Sequence, residues 1–397
     1  MQILMIAPQP FFRPRGTPFS ILWRIKALAS LGYQIDLLTY HLGQNIELDG
    51  VRIFRTPKIP FIKDVQIGPS WTKIFLDLFI LMKAIFMLLK KRYDVIHSHE
   101  EAGFISIILA AIFKTKHVYD MHSSLPQQLK NFERFNCRIF YKLFKMLEKM
   151  TINKSDAIIT ICPDLQDYVS AINNKKFHIL IENTPDNGIR IDDSAIALSR
   201  LREKFFLNDK LMILYTGTFE PYQGLELLVD AIPLVVKECP GKVVFVLVGG
   251  TSSQISSLRE RAIRNRVEKY ILFTGTIPPE EIPYYLKLAH ILVSPRIEGT
   301  NTPLKIYSYL QSGKPIVATN LYTHTQVLNR DVALLVEPTI DAFAQGIIRL
   351  LRDSALSNKL TRNAAQLSQE KYSYAEYLKR TEQIYSYLQT KYLSSKL

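Results

Sequence analysis

The sequence has little cysteine: three residues, Cys137, Cys162 and Cys239, are spread over 397 positions. None of them forms a Cys-x-x-Cys pair, which argues against a disulfide framework or a zinc site and is typical of a reducing cytoplasm. Glycine motifs are also scarce. No Gly-x-Gly-x-x-Gly follows a predicted strand, no Gly-x-Ser-x-Gly elbow is present, and Gly313-Lys314 lacks the other residues of a P-loop. The sequence also has no Asp-x-Asp pair of the metal-dependent transferases.

The chain also lacks a hydrophobic run long enough to span a membrane. The most apolar stretch, Ile74 to Leu89, is interrupted by Asp77 and Lys83 and falls short of the roughly 20 apolar residues that a spanning helix needs. It ends in the basic sequence Lys90-Lys91-Arg92. Two interpretations stay open: a helix packed on a sheet, whose basic last turn complements its dipole, or a helix on an anionic membrane surface. The first residues lack a basic segment, so no signal peptide is expected.

Basic residues outnumber acidic ones, which gives a net charge of +14. Residues 1–190 carry 25 Lys and Arg against 16 Asp and Glu, and the remaining residues carry 25 against 20. A basic first half attracts nucleic acid, anionic lipid or an anionic substrate. Because no zinc finger and no basic motif with interleaved aromatic residues is present, a nucleic-acid partner is not expected.

Short apolar runs alternate with helix-length segments, which predicts parallel sheets covered by helices on both faces. In the first half the predicted strands are Ile3–Ala7, Ile35–Thr39, Val51–Arg55, Val95–His97, His117–Tyr119, Ala157–Ile161 and His178–Ile181. In the second half they are Met212–Tyr215, Val243–Val248, Ile271–Thr274, Ile291–Ser294, Ile316–Ala318 and Ala333–Val336. The predicted helices are Ser20–Leu31, Lys73–Lys91, Gly103–Phe113, Leu125–Asn153, Leu225–Lys237, Pro279–Leu288 and Leu304–Gln311, with a helical tail beyond Arg352.

This alternation of predicted strands and helices is typical of the α/β class and predicts two Rossmann-like, doubly wound parallel-sheet domains. A length of 397 residues suits two cores better than one. We expect a first domain at residues 1–190, a second at 191–375, and a C-terminal helix at 376–397 that can pack back on the first domain. The polar stretch Asn183–Ser194 is the predicted linker.

The segment with the strongest functional pattern runs from Ser294 to Thr319 and is predicted as strand, polar loop, helix, glycine stop and strand. Small and polar residues crowd the start of its helix, where free N–H groups and the positive end of the helix dipole bind phosphates or sugar hydroxyls. Glu298 lies at the strand end, where it can accept hydrogen bonds from hydroxyls. Arg296 and Lys305 flank the loop with positive charge.

This segment resembles glycosyltransferase family 4, which carries a Glu-Gly-Phe-Gly-like loop, a second Glu and then Gly-x-Pro-Val/Ile-Val. Glu298-Gly299 and Gly313-Lys314-Pro315-Ile316-Val317 match that pattern. The second Glu, which in the family usually holds the nucleotide ribose, is replaced by Ser308. The resemblance implies that the donor is bound by Ser308 and by the loop residues Gly299, Thr300 and Asn301.

The resemblance extends into the first half of the chain. Gly16-Thr17 occupies the place of the family's glycine-rich first loop, which approaches the donor phosphates. The segment from Tyr93 to His99 resembles a strand end of the form Asp-Val-hydrophobic-His-x-His, and His122 follows the next strand, where relatives often have a His beside the donor sugar. The resemblance implies that His122 and Glu298 are the catalytic, sugar-orienting residues and that His99 lies on the acceptor side. A histidine that merely caps or fills a cleft edge stays an alternative for both.

One departure from the family concerns the donor diphosphate. Relatives read Gly-Arg-Leu, a short loop and Lys-Gly where this chain has Leu214–Leu225, and those two basic residues usually clamp the diphosphate. Here they are Thr218 and Gln223. We expect Arg296 and Lys305 to supply the missing charge. Thr276 lies in a strand-end turn of a kind that often meets the nucleotide base through backbone groups.

The resemblance implies the GT-B fold, two domains facing across a cleft, and retaining transfer of a sugar from a nucleoside-diphosphate sugar. No cofactor and no metal ion are expected, since the sugar nucleotide is a substrate. The implied acceptor is a carbohydrate or a lipid-linked molecule in cytoplasmic glycan or polysaccharide biosynthesis, with membrane association and a peripheral contact with anionic lipid as an open option. Two other functions stay open: a sugar-nucleotide epimerase, and a non-catalytic binder, which is motivated by Thr218, Gln223 and Ser308.

Overall fold

The computed structural model describes the chain apart from residues 13–15, 66–69, 127–137, 185–194, 206, 208–209 and 395–397. The chain forms two compact units. Unit 1 comprises Met1–Asn183 and Ala375–Leu397, and unit 2 comprises Thr184–Tyr374. The sequence placed these boundaries at 190 and 375. Most of the predicted linker, residues 185–194, lies outside the described residues.

Unit 1 is built on a sheet of seven parallel strands in the order β3-β2-β1-β4-β5-β6-β7. The sheet is parallel because its strands are buried apolar runs joined by crossovers. The strands are β1 Gln2–Ala7, β2 Gln34–Thr39, β3 Val51–Arg55, β4 Val95–His99, β5 Lys116–Met121, β6 Ala157–Thr160 and β7 His178–Leu180.

Helices cover both faces of this sheet. They are α1 Gly16–Ser30, α2 Trp71–Lys90, α3 Ala102–Phe113, α4 Arg138–Lys154, α5 Pro163–Ile172 and α14 Tyr374–Ser394. Buried side chains of α2 and α3 share a core with Leu4 and Ile6 of β1, on one face of the sheet. Side chains of α1 and α14 contact β4 and β5 on the opposite face. Residues 127–137 of the predicted helix Leu125–Asn153 lie outside the described part.

Unit 2 repeats the plan with six parallel strands in the order β10-β9-β8-β11-β12-β13. The strands are β8 Leu211–Thr216, β9 Val243–Val248, β10 Ile271–Gly275, β11 Ile291–Ser294, β12 Ile316–Thr319 and β13 Leu334–Val336. Its helices are α6 Ala195–Lys204, α7 Leu225–Glu238, α8 Ser252–Arg264, α9 Ile282–Leu288, α10 Lys305–Gln311, α11 Tyr322–Thr325, α12 Ile340–Arg352 and α13 Ser354–Lys371. Separate hydrophobic clusters fill the two faces of the sheet.

These two sheets confirm the predicted fold class of two Rossmann-like, doubly wound domains. One predicted helix differs: Pro279–Leu288 is divided into a 3-10 turn, Pro279–Glu281, and α9. Pro283 lies in the first turn of α9, where the missing proline N–H costs no helical hydrogen bond. No helix in the described part of the chain has the length and apolar character needed to cross a membrane.

Candidate functional site

The carboxyl ends of β4 and β5 place four polar side chains on one face of the unit 1 sheet. Alternate residues of a strand point to the same face, so His97 and His99 of β4 lie together. The register pairs His99 with Asp120 of β5, and His122 follows two residues later. All four side chains are at most 3% exposed. Because buried polar groups need partners, the hydrogen bonds among them determine what this cluster can do.

Asp120 is the anionic centre of the cluster. Its Oδ2 accepts a hydrogen bond from Arg24 Nε at 2.9 Å and lies 3.2 Å from His97 Nε2. Burial raises the pKa of the Asp120 carboxyl, but Arg24 and His122 lower it more strongly, so the pKa lies well below its usual range. Asp120 is therefore ionised, and its charge is neutralised by the buried Arg24.

His99 and His122 share the next hydrogen bond. His122 Nε2 lies 2.9 Å from His99 Nδ1 and 3.2 Å from Asp120 Oδ1. Burial holds the pKa of His99 well below its usual range, so this ring is neutral. The tautomers of the two rings determine which nitrogen donates in this contact. His99 and Asp120 therefore both face Nε2 of the predicted catalytic His122.

Side chains of the C-terminal helix α14 also contact this cluster. Arg24 Nη1 donates to Thr381 Oγ1 at 3.1 Å, and the Arg24 guanidinium lies 4.9 Å from the centre of the Tyr377 ring. Tyr385 forms a 2.6 Å hydrogen bond between its hydroxyl and His97 Nδ1. The chain terminus therefore takes part in holding the histidines of β4 and β5.

The predicted first loop contacts a carboxylate at the end of β4. Thr17 Oγ1 donates to Glu100 Oε1 at 3.3 Å, and Gln9 Nε2 donates to Glu100 Oε2 at 2.9 Å. Gly16 begins α1 at the surface with a φ of 29°. The preceding residues 13–15 lie outside the described part. A carboxylate beside Gly16 and Thr17 repels phosphate and favours hydroxyls, so the phosphate role predicted for them stays a prediction.

In unit 2, the loops after β8 and β11 meet. Ile297 N donates to Tyr222 O at 3.0 Å. Gly224 has a φ of 70°, and a Cβ at this position would overlap the carbonyl of Pro295. A glycine is required there because the two backbones approach so closely. The predicted donor residues on these two loops therefore share one place in the fold.

Lys305, the first residue of α10, reaches the end of β8. Its Nζ donates to Gln223 Oε1 at 3.2 Å and lies 3.7 Å from the centre of the Tyr215 ring. The same ammonium group lies beside Gly217, which follows β8. Burial and the nearby Arg296 hold the pKa of Lys305 well below its usual range. Gln223, at the position where the family resemblance implies a basic residue, therefore accepts a hydrogen bond from the Lys305 side chain.

Arg296 organises the loop after β11. Its Nε donates to the carbonyl of Glu298 at 2.6 Å and its Nη1 to the carbonyl of Asn301 at 3.2 Å. The guanidinium also lies 5.0 Å from the centre of the Tyr222 ring. Gly299, with a φ of 117°, packs so closely that a Cβ would overlap the guanidinium. Arg296 thus shapes the loop and holds it against the loop after β8.

Arg296 is buried and Lys305 is half-buried, and neither side chain has a carboxylate partner among the residues that the structure describes. Arg296 is 9% exposed, and burial lowers its pKa. Desolvated cations are costly unless they are paired. The two side chains therefore form a site that favours an anion.

The other predicted donor residues surround this site to different degrees. The carbonyl of Thr218 accepts from the Tyr215 hydroxyl at 2.7 Å, and Ser308 lies one turn after Lys305 on α10. The side chains of Glu298 and Thr300 are exposed on the loop. Thr276 is exposed after the edge strand β10, which β9 separates from β8.

His97, His99 and Asp120 are also the group that could hold a metal ion among the described residues, since their ligand atoms lie within 4.8 Å of one another. Some of the possible ligand atoms already bond to other side chains, whereas His99 Nε2 and Asp120 Oδ1 have no hydrogen-bond partner among the described residues. Asp120 Oδ2 accepts from Arg24, and His97 Nδ1 bonds to Tyr385. A cation bound to Asp120 would lie near the buried guanidinium of Arg24, which repels it. The residues present therefore suit a hydrogen-bonded network better than a metal.

Several residues that contact these sites were not predicted from the sequence. Arg24 and Tyr385 bond to side chains on distant strands, and Tyr222 stacks on Arg296. Arg24 is a charged residue on the apolar face of α1, which is a detectable signal. The sequence contains no signal for its partner, because Asp120 lies 96 positions away.

Two family models match the chain. One, described as Glycosyltransferase Family 4, matches residues 24–180. The other, described as Glycosyl transferases group 1, matches residues 210–353. The matched segments lie in units 1 and 2 respectively and include the polar strand ends of both sheets.

Known proteins resemble the chain over most of its length. An uncharacterized glycosyltransferase of Methanocaldococcus jannaschii is 23% identical, over 91% of both chains. A phosphatidyl-myo-inositol mannosyltransferase of Propionibacterium freudenreichii is 22% identical, over 84% of this chain and 81% of its own. The crystal structure of HepE from Anabaena in complex with UDP and glucose superposes with a TM-score of 0.75 at 16% identity, over 97% of this chain and 99% of that one.

Proposed function

The chain belongs to glycosyltransferase family 4 and has the GT-B fold, and on this basis we propose that it is a metal-independent, retaining hexosyltransferase that uses a nucleoside-diphosphate sugar. The observation that carries the proposal is a pair of basic side chains, the buried Arg296 and the half-buried Lys305, without a carboxylate partner in the described part of unit 2. A diphosphate supplies the negative charge that this site lacks.

In the proposed reaction, the bond between the anomeric carbon and the diphosphate oxygen breaks while the acceptor oxygen bonds to the same face of the sugar. The acceptor proton passes to the departing diphosphate, so no carboxylate nucleophile is required. Arg296 and Lys305 stabilise the charge on the leaving group, and this stabilisation makes the largest contribution to lowering the activation free energy. His122 and Glu298 orient the sugar, and His99 lies on the acceptor side.

We propose a carbohydrate or lipid-linked acceptor, in glycan or polysaccharide biosynthesis in the cytoplasm. Two observations support this class. The mannosyltransferase relative is named for a lipid acceptor, phosphatidyl-myo-inositol. Residues 1–190 carry the larger excess of basic residues, which attracts a phosphorylated acceptor.

Nucleotide binding tests the site directly. UDP, GDP, ADP and CMP are compared in a thermal-shift series, since a ligand that binds only the native state raises the melting temperature. The HepE complex makes UDP the first choice. Arg296→Ala and Lys305→Met are each expected to reduce the shift, whereas Lys314→Met, which removes a cation elsewhere in unit 2, leaves it unchanged. Equal shifts for all variants would disprove the diphosphate role of the two cations.

Turnover tests the reaction class. NMR of the product gives the anomeric configuration, and retention is expected. Inversion contradicts the retaining mechanism. A changed sugar nucleotide formed without an acceptor indicates an epimerase. Nucleotide binding without transfer, across many acceptors, indicates a binder, the alternative that Thr218, Gln223 and Ser308 motivate through the loss of two basic residues and a carboxylate.

A further inference from the structure

Helix α2 has two apolar faces, and the core of unit 1 uses one of them. Leu76, Ile80, Ala84, Met87 and Leu88 are buried against the sheet at helical spacing. A second row of large apolar side chains on α2 is exposed: Trp71, Ile74, Phe75, Leu78, Met82, Ile85, Phe86 and Leu89. Their spacing of three and four residues places them on the side away from the sheet. Leu89 alone is 73% exposed.

The neighbouring helices continue this surface. Helix α3 lies between α2 and α4 on the same face of the sheet. It exposes Ile108 and Ile112, and α4 exposes Leu143, Met146 and Met150. We call the exposed apolar side chains of α2, α3 and α4 the outer face. Isolated exposed apolar residues are ordinary, but a contiguous surface from three helices marks a binding surface.

In the described parts of α2, α3 and α4, the charges that face outward are all positive. Helices α2 and α4 each contain a single acidic residue, and both carboxylates point inward: Asp77 accepts from the Tyr40 hydroxyl, and Glu148 accepts from the Ser124 hydroxyl. Helix α3 contains no charged residue. The surrounding cations are Lys83, Lys90, Lys114, Lys142, Lys145 and Lys149. The outer face therefore combines apolar side chains with lysines.

We infer that the outer face docks on an anionic lipid bilayer. The apolar side chains enter the boundary between headgroups and acyl chains, and the lysines contact lipid phosphates. Charge selects this occupant over a second copy of the chain, because two such faces in contact would bring the lysines of both copies together. Each lysine near an anionic surface adds to the attraction.

Vesicle flotation of the full-length protein tests this inference without any need for enzymatic activity. Vesicles of phosphatidylcholine alone are compared with vesicles that also contain phosphatidylglycerol. We expect at least about tenfold tighter binding to the anionic vesicles, and weaker binding as salt is added, because ionic screening reduces the attraction. Binding that is equal on both vesicle types would overturn the inference.

Matched variants separate the outer face from the rest of the surface. Leu78→Glu with Ile85→Glu is expected to abolish flotation, whereas Ile263→Glu, at a similarly exposed isoleucine on α8 of unit 2, leaves it unchanged. Lys145→Ala with Lys149→Ala is expected to reduce the anionic preference, with Lys237→Ala on α7 as its control. Circular dichroism verifies that each variant is folded. If light scattering instead shows a dimer that only the outer-face variants dissociate, a second copy occupies this face and the inference is wrong.

Discussion

Asp120 carries the negative charge on which the histidine cluster of unit 1 depends. Asp120→Asn leaves Arg24 buried without an anion, which is expected to lower the free energy of unfolding of unit 1 by about 3 kcal/mol. The only two tryptophans of the chain, Trp23 and Trp71, both lie in unit 1. Tryptophan fluorescence during urea unfolding therefore measures this unit separately.

The matched control for Asp120 is an exposed ion pair. Lys379→Ala breaks the contact of an exposed lysine with Glu376 on α14 of unit 1, and should cost less than about 1 kcal/mol. The pKa of Asp120 is lowered in the folded state, so its contribution is present above the unfolded pKa and disappears as acid protonates the folded carboxylate. If Asp120→Asn lowers the free energy of unfolding no more than the control does, the Arg24–Asp120 pair contributes little to stability.

Lys305 gives nucleotide binding a defined pH dependence. Burial, with Arg296 nearby, lowers the pKa of Lys305 in the free protein, and a bound diphosphate raises it again. Binding therefore takes up a proton between the two pKa values, and affinity for UDP falls as pH rises through that window. Calorimetry in buffers of different ionisation enthalpy measures the uptake. Lys305→Met should abolish the proton uptake, whereas the control Lys314→Met should leave it unchanged. If proton uptake persists in Lys305→Met, another group takes up the proton.

Gly299 is expected to be essential for the shape of the loop after β11. In Gly299→Ala the new methyl group displaces the Arg296 guanidinium, so UDP binding should weaken at least about tenfold. Gly313→Ala is the control, because Gly313 also has a positive φ, of 69°, but has open space around it. Both variants carry a backbone cost of about 1–3 kcal/mol because of the positive φ, whereas only the first should change the calorimetric UDP affinity. Equal UDP affinities of the two variants would show that Gly299 is not required for the nucleotide site.

At the scale of elements, α14 supplies side chains that bond to Arg24 and to His97 of unit 1. Tyr385→Phe removes the hydroxyl that bonds to His97 Nδ1, so this buried imidazole nitrogen loses that hydrogen bond. The expected loss of stability is about 1–3 kcal/mol, measured by tryptophan fluorescence in urea. Tyr387→Phe on the same helix keeps the ring stacked on Phe177 and serves as the control. A comparable loss in both variants would indicate a general effect of α14.

The strands of both sheets could be predicted within a few residues, because strands buried on both faces read as continuous apolar runs. Helix α8 was missed because its sequence is largely polar, although its Thr251–Gln254 capping box is a readable start signal. In the site, the motif residues on the loops after β8 and β11 were predictable from the resemblance. The Arg24–Asp120 pair and the stacking of Tyr222 on Arg296 were not, since such contacts join residues far apart in sequence.

At the scale of the molecule, unit 2 is a continuous segment inserted into a discontinuous unit 1. The chain enters and leaves unit 2 at one place, where Thr184 Oγ1 donates to the Tyr372 carbonyl at 2.8 Å. We expect residues 184–374 to unfold cooperatively when expressed alone, as circular dichroism would show. Residues 1–183 alone should not, because the face that α14 covers is left open.

A chain of residues 1–183 joined by a flexible linker to 375–397 is the control for this experiment, and it should recover a cooperative transition. A cooperative transition in residues 1–183 without the tail would show that α14 is dispensable. In that case the hydrogen bonds of Thr381 and Tyr385 add little to the fold of unit 1.

The insertion also sets an order of events during translation. The ribosome completes every residue of unit 2 before it makes α14, so the second half of the nascent chain can fold first even though it is made later than β1–β7. Residues 1–183 therefore receive the helix that completes their unit only after all of unit 2 has been synthesised. A stop codon placed just before α14 would therefore damage the part of the protein that was synthesised first.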